Sequence, residues 1–311
     1  MTFSVIIPTL NRSKVLKETL ESICLQNPLP NEVLVIDQSV GEDTKKVCEK
    51  FPITRFFRQN EKSSSRARNV GIENAQTDIL FFLDDDVELD PGYFESLLKM
   101  FSDPSVSAVQ GWVRNSAGFG RMSNLIRKVF LFESGGNKMA LLPDFIGTHF
   151  SQKPSEISRI EWCSGCGFAV HRNIAREEKF EPRFFLYSLA EDRDFSFRAG
   201  KRGKLLLNPA ATMLHKVEPS GRIPPKKKIF MIYVHQMYLI AKNFGWDFPH
   251  GVAFWWNVFG RLLFSTLGLC KFSKERWLFF KWNWGAFFFV VRNKAQLKKG
   301  DLTTFTSFLF H

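Results

Sequence analysis

No Gly-x-Gly-x-x-Gly follows the first apolar run of this 311-residue chain and no Gly-x-x-x-x-Gly-Lys-Ser/Thr occurs in it, so it carries neither a dinucleotide fingerprint nor a P-loop. Cysteine is sparse. There are five, an odd number, and Cys163-x-x-Cys166 has no second pair to complete a zinc site and no thioredoxin-like surroundings. These are expected to be free thiols, the two in the Gly-containing turn buried. With no leader ahead of residues 2–8, a reducing cytoplasm is the expected compartment. A run of about 20 uninterrupted apolar residues, which a spanning helix needs, is also missing. Residues 248–272 are apolar but hold Arg261, and residues 277–291 are short and contain Lys281. Acidic residues are nearly absent from 216–300, where 15 Lys and Arg face 3 Asp and Glu. That segment accounts for the whole net charge of +12, so a neutral globular part carries a basic tail.

What is present is a series of strand and helix signals. Residues 3–8, 32–36 and 79–83 are apolar runs of strand length, and residues 54–58 read as a further strand. Residues 12–25, 45–51 and 64–75 read as helices between them, the first with Val15, Leu16, Leu20 and Ile23 at helical spacing. Repeated βα units predict an α/β fold with a mostly parallel, doubly wound sheet. Periodicity fades over residues 115–160, which hold Gly118, Gly120, Gly135, Gly136 and Gly147 around a short helix at 125–132. It returns with a strand at 167–170, a helix at 186–198 and strands at 204–207 and 211–215. Pro224-Pro225 and three lysines mark a boundary near residue 220.

The most informative junction is the apolar run 79–83 ending in Asp84, Asp85 and Asp86. In open parallel sheets ligands gather beyond the carboxyl ends of strands. Three adjacent carboxylates repel one another, and a divalent cation bridging to phosphates relieves that repulsion. Read from the residues alone, the triplet is either such a metal site or a solvated turn before a helix starting at Asp90-Pro91.

The order of motifs resembles family 2 glycosyltransferases of the GT-A fold over roughly residues 3–220. Val5-Ile6-Ile7-Pro8-Thr9-Leu10-Asn11-Arg12 is similar to the family's first strand and turn, which implies that Pro8, Thr9 and Asn11 hold the nucleotide base. Val35-Ile36-Asp37 resembles the second strand, whose aspartate bonds the base. Ala67-Arg68-Asn69-Val70-Gly71 resembles the helix that reaches the nucleotide. Asp84-Asp85-Asp86 resembles the Asp-x-Asp motif, implying that Asp84 and Asp85 face the donor and that Asp84 and Asp86 hold Mn²⁺ or Mg²⁺. Glu191-Asp192 resembles the motif with the catalytic base, and His215 stands where some relatives add a metal contact. The chain departs from the family pattern at residues 38–43 and at Ala190, a position that is frequently glycine. The resemblance implies an inverting enzyme in which a nucleotide-diphosphate sugar is the donor and Asp192 is the general base. No Gln-x-x-Arg-Trp of processive synthases occurs, so one sugar per visit is expected. It divides the chain into 1–112 for the donor, 113–220 for acceptor and base, and 221–311 as an appended helical region. Part of the glycine-rich segment is expected to close over bound donor.

The tail holds six of the eight tryptophans, interleaved with basic residues. That composition suits single-stranded nucleic acid or an anionic bilayer surface. The membrane reading is adopted, as peripheral or monotopic attachment to the cytoplasmic face of the plasma membrane. A lipid-linked or oligosaccharide acceptor follows from that location, and nucleic acid is not an expected partner. A hairpin insertion or a homodimer interface remains open for the tail. Two rival readings are a nucleic-acid-binding module on an inactive scaffold and a sugar nucleotidyltransferase.

Overall fold

The structure, a computed structural model, describes residues 1–115, 119–218, 223–270 and 273–310. The boundary expected near residue 220 and Gly118 fall outside the described residues. In chain order the elements are β1 (Phe3–Thr9), α1 (Ser13–Cys24), β2 (Glu32–Asp37), α2 (Asp43–Cys48), β3 (Thr54–Arg58), α3 (Ser64–Asn74), β4 (Ile79–Leu83), β5 (Val87–Leu89), α4 (Tyr93–Leu98) and β6 (Val106–Val113). There follow α5 (Arg121–Val129), β7 (Ser134–Gly136), β8 (Thr148–Phe150), β9 (Ser158–Ile160), β10 (Gly167–His171), α6 (Arg172–Glu178), α7 (Glu191–Ala199) and β11 (Lys204–His215). The helices α8 (Pro225–Phe244), α9 (Phe248–Leu267), α10 (Lys274–Lys298) and α11 (Thr303–Phe310) complete the chain. It divides into two compact units, Met1–Gly118 with Phe150–Arg222, and Phe119–His149 with Ile223–His311.

The first unit is a mixed α/β layer structure around one sheet in the order β3-β2-β1-β4-β10-β6-β11-β5, with β9 also on β11. Strands β3, β2, β1 and β4 run parallel, as the βα alternation predicts. Every residue of β1 and β4 is buried, the mark of strands covered by helices on either side, whereas β3 at the sheet edge is only partly buried. Strand β10 lies antiparallel to both β4 and β6. Three local expectations change. The chain forms β5 directly after Asp86, so the helix foreseen at Asp90 starts later, at Tyr93. The two closing strands are one, β11, with its register shifted between Asn208 and Thr212. The helix expected from residue 186 starts at Glu191, because Leu186, Ser188 and Ala190 take φ of 55, 49 and 74°. Ala190 therefore has the left-handed backbone that favours glycine, the residue frequent there in the family it resembles.

Helix α3 starts at Ser63, whose side chain accepts a hydrogen bond from the Arg66 amide. It packs on β1 through Gly71, where an added Cβ would come within 2.3 Å of Ile6 Cγ2. The same helix carries Arg68 and Asn69, so that close approach sets how far both side chains reach. Around it, Phe180 stacks on Phe195 at 4.3 Å and meets Phe82 edge-on at 5.0 Å.

In the second unit α8 supplies the core, with Met231, Val234, Met237 and Ile240 fully buried. Tyr233 donates to Asn283 Oδ1 at 2.9 Å, tying α8 to α10, and Phe230 stacks on Phe308 of α11 at 4.4 Å. Among the described residues one helical stretch, Phe248–Cys270, is long and apolar enough to cross a membrane by length and composition. Its Arg261 is used within the unit, donating to Asn257 Oδ1 at 2.6 Å and lying 5.2 Å from the Phe132 ring.

Replacing Gly71 by Ala forces the β-carbon into Ile6, and overpacking of this kind costs about 1–3 kcal/mol. Urea unfolding of the full chain should show that loss, and an unchanged midpoint would mean that α3 does not rest on β1 so closely.

Candidate active site

The carboxyl end of β4 delivers Asp84, Asp85 and Asp86 beside the carboxyl end of β1, its parallel neighbour. Each carboxylate has a different setting. Asp85 is buried, accepting from Thr9 Oγ1 at 2.6 Å and Arg12 Nη1 at 3.0 Å. Burial pushes its carboxyl up to about 6, with the Arg12 guanidinium and Thr9 hydroxyl opposing that rise. Asp84 is half-buried and accepts from Arg68 Nη2 at 2.9 Å. Asp86 Oδ2 accepts from the Glu218 amide at 2.9 Å, and its backbone carbonyl accepts from the Lys216 amide at 2.8 Å. Burial opposes ionisation of Asp86, yet the neighbouring His215 imidazole, the Glu218 amide and Arg12 outweigh it and hold the carboxyl below its ordinary value.

His215 ends β11, and its Nε2 lies 2.9 Å from Asp86 Oδ1 and 3.9 Å from Asp84 Oδ2. One ligand atom from each of Asp84, Asp86 and His215 falls within 4.8 Å of the others. The His215 imidazole is thus the charged neighbour of Asp86 Oδ1, and among the described residues no other group donates a hydrogen bond to this buried oxygen. A buried carboxylate oxygen needs a positive neighbour, a need that protonated His215 or a cation held by the same three residues can meet. Two carboxylates and an imidazole form a donor set suited to a divalent cation.

Arg68, almost wholly buried, links this cluster to the start of α7. Its Nη1 donates to Glu191 Oε1 at 2.6 Å and its Nη2 to the Gly165 carbonyl at 3.1 Å. Burial pushes Glu191 up to about 8, against the pull of the Arg68 guanidinium. Gly165 then turns its amide to Asp192 Oδ2 at 2.9 Å. A single residue thus spans from the arginine to the carboxylate expected to act as base. Asp192 stays half-buried, its Oδ1 accepting from the Arg193 amide at 2.8 Å.

On the other side Thr9 pairs in register with Asp37, which is fully buried. Asp37 Oδ1 accepts from the Ser39 amide at 3.0 Å and hydroxyl at 2.5 Å, and its Oδ2 from Arg58 Nη1 at 2.7 Å. Ser39 Oγ in turn accepts from the Asn11 amide at 2.7 Å. Asn11 has a φ of 57°, which turns the chain back after Pro8 and Thr9 and sets Arg12 over the acids. The sequence-derived candidates Pro8, Thr9, Asn11, Asp37, Asp84, Asp85, Asp86, Glu191, Asp192, Arg68 and His215 therefore form one connected region. Asn69 is directed elsewhere: its amide donates to and accepts from the Phe180 backbone at 2.9 and 2.8 Å.

Two residues outside the candidate set are central here. Arg12 reaches Asp85, Asp86 and, through Nη2 at 3.0 Å, the Glu218 carbonyl. Its signal was its place directly after the first strand's turn. Gly165 was visible only as part of an irregular Cys-Ser-Gly-Cys stretch. The two thiols beside it are buried, and burial pushes Cys166 up to about 12.

Comparison with known proteins bears on the family and the fold. A family profile described as "Glycosyl transferase family 2" matches residues 4–177. A GalNAc(5)-diNAcBac-PP-undecaprenol beta-1,3-glucosyltransferase from Campylobacter jejuni is 31% identical over 193 residues, 58% of this chain and 55% of that protein. The chain thus spans about half the length of this curated relative. A structure of GalNAc-T7 with UDP, GalNAc and Mn²⁺ superposes with a TM-score of 0.58 at 18% identity, over 80% of this chain and 52% of the other. The mannosyltransferase PcManGT from Pyrobaculum calidifontis, with GDP-Man and Mn²⁺, gives 0.55 at 16% identity over 99% and 80%. These likenesses at low identity establish the fold.

Removing Arg12 as Arg12→Ala leaves buried Asp85 without its cation, which costs about 3 kcal/mol in such settings. The folded pKa of Asp85 already lies above its ordinary value of 3.8, so its charged form is disfavoured in the fold. Stability from this group is therefore greatest at low pH and falls as pH rises towards 6. The gap between wild type and variant should widen from pH 5 to pH 8 in urea unfolding, and a gap independent of pH would contradict the ion pair.

Proposed function

The chain belongs to glycosyl transferase family 2, and from that membership we propose that it moves one sugar from a nucleotide-diphosphate sugar to a hydroxyl of a lipid-linked glycan, with inversion at the anomeric carbon. The observation that carries this reading is the grouping of Asp84, buried Asp86 and His215, joined through Arg68 and Gly165 to Asp192.

Asp84, Asp86 and His215 would hold a divalent cation. When bound, it supplies positive charge against the diphosphate that leaves. Arg68 fixes Asp84 and Glu191 relative to each other, because one guanidinium bonds both. Thr9 and Arg12 restrain Asp85 beside them. Asp37 and Asn11, locked together through Ser39, shape the rim at the ends of β1 and β2 that would receive the nucleotide base. Asp192, held by the Gly165 amide but still open to solvent, takes the proton of the acceptor hydroxyl as that oxygen attacks carbon one of the sugar. The C1–O bond to the diphosphate breaks on the opposite side, so one displacement inverts the centre.

The lipid-linked acceptor is supported by the Campylobacter jejuni relative, whose name specifies a polyprenyl diphosphate acceptor, and by the basic, tryptophan-rich tail. Attachment of residues 221–311 to an anionic bilayer at the cytoplasmic face would bring such an acceptor within reach. The missing Gln-x-x-Arg-Trp supports single addition.

A panel of nucleotide sugars with Mn²⁺ and a lipid-linked glycan should yield nucleoside diphosphate with one donor, and chelation should stop it. With that donor, Asp192→Asn should lower kcat by about 10² to 10⁴ while calorimetric donor affinity stays the same. Full activity in that variant would remove Asp192 from the role of base.

A further inference from the structure

Helix α5 has no buried residue. Its apolar side chains nevertheless form one stripe, with Met122, Leu125 and Val129 at i, i+3 and i+7 exposed by 71, 57 and 52%. The rest of the helix carries Arg121, Arg127 and Lys128 and no acidic residue. An exposed apolar stripe gains nothing in water, and packing within the unit does not cover it.

The stripe does not end at Val129. Trp256 Nε1 donates to the Val129 carbonyl at 2.7 Å, and Asn257 Nδ2 to the Leu131 carbonyl at 2.7 Å. Phe130 stacks on Trp256 with ring centres 5.3 Å apart and planes 14° from parallel. It sits against Gly260, where a Cβ would come within 2.6 Å of its ring. So the end of α5 is fastened to α9 where α9 shows its own exposed row, Phe248, Val252, Trp256 and Phe259, at i, i+4, i+8 and i+11. A cavity of about 620 Å³ opens along that row, lined by Trp246, Phe248, Val252, Trp255 and Trp256 among others.

We propose that α5 and the exposed row of α9 form one docking surface for an anionic bilayer, with α5 lying in the plane of the headgroups. An amphipathic helix with a basic polar face is the form that binds there, and tryptophan prefers that depth. Charge selects the bilayer over a second copy of the chain. The polar face of α5 is basic, and residues 216–300 carry 15 Lys and Arg against 3 acids, so two copies would bring like charges together. The inference rests on the membrane reading given above for the nature of the surface, and it adds a contact element well ahead of the basic tail.

The test is sedimentation of the full chain with vesicles of phosphatidylglycerol and phosphatidylethanolamine, and with phosphatidylcholine alone. Wild type should sediment with the anionic vesicles and far less with phosphatidylcholine. Met122→Asp with Leu125→Asp should lower the partition constant by at least about tenfold, while Met122→Trp with Leu125→Trp should raise it. Since α5 buries nothing, both variants should keep the wild-type unfolding midpoint. Wild type that ignores all vesicles would overturn the membrane reading together with this inference. Wild type that binds while the aspartate variant binds equally well would overturn the inference alone. A change of oligomeric state in lipid-free buffer, caused by the aspartate pair, would assign the surface to a second copy and also overturn it.

Discussion

Three carboxylates at the end of one buried strand set the terms for the rest of the first unit. Asp84, Asp85 and Asp86 cannot be ionised side by side in a partly dry crevice without compensating charge. The fold supplies it from three directions: Arg12 from the turn after β1, Arg68 from α3, and His215 from the end of β11. Each comes from a different region of sequence, so the cluster is a product of the sheet order. Strand β1 is next to β4, and β11 pairs with β5 so that His215 lies opposite Val87. Asp84, Asp86 and His215 bring one ligand atom each within 4.8 Å of the others, and that grouping is where a cation fits.

The same ion pairs have a second consequence. Arg12 and Asp86 both bind the backbone at Glu218, and Asp86 also binds that of Lys216. The chain leaving the last strand is thereby fixed at the acids themselves. Charge on Asp86 is coupled to the position of residues 216–218, so neutralising that carboxylate affects both the cluster and the segment that follows it. Arg68 does the comparable task on the far side, where one guanidinium spaces Asp84 from Glu191 and shares Gly165 with Asp192.

Much of this was legible before any coordinates. The apolar runs of β2 and β4 could be read as strands, and their ends too, because Asp37 and Asp84 break those runs abruptly. The helix carrying Arg68 could be read over residues 64–75 from its place between two strand signals. What could not be read has physical causes. The run at Gly167–His171 is apolar in either direction, so its antiparallel placement leaves no mark on composition. Helix α7 starts late because Leu186, Ser188 and Ala190 adopt left-handed backbone that none of these residue types announces. Asn69 stands in a motif that suggests nucleotide contact, yet the Phe180 backbone takes up its amide. The grouping of Phe119–His149 with the C-terminal helices depends on contacts such as Trp256 to Val129, which no local pattern reveals.

The central claim is that Asp84, Asp86 and His215 act together on one cation beside the donor's diphosphate. Anomalous scattering from crystals grown with Mn²⁺ and a nucleoside diphosphate measures this most directly. The account predicts a single strong manganese peak bonded to Asp86 and flanked by Asp84 and His215, with the diphosphate against it. A diphosphate bound in the crevice with no metal there, or a metal held away from all three residues, would contradict it.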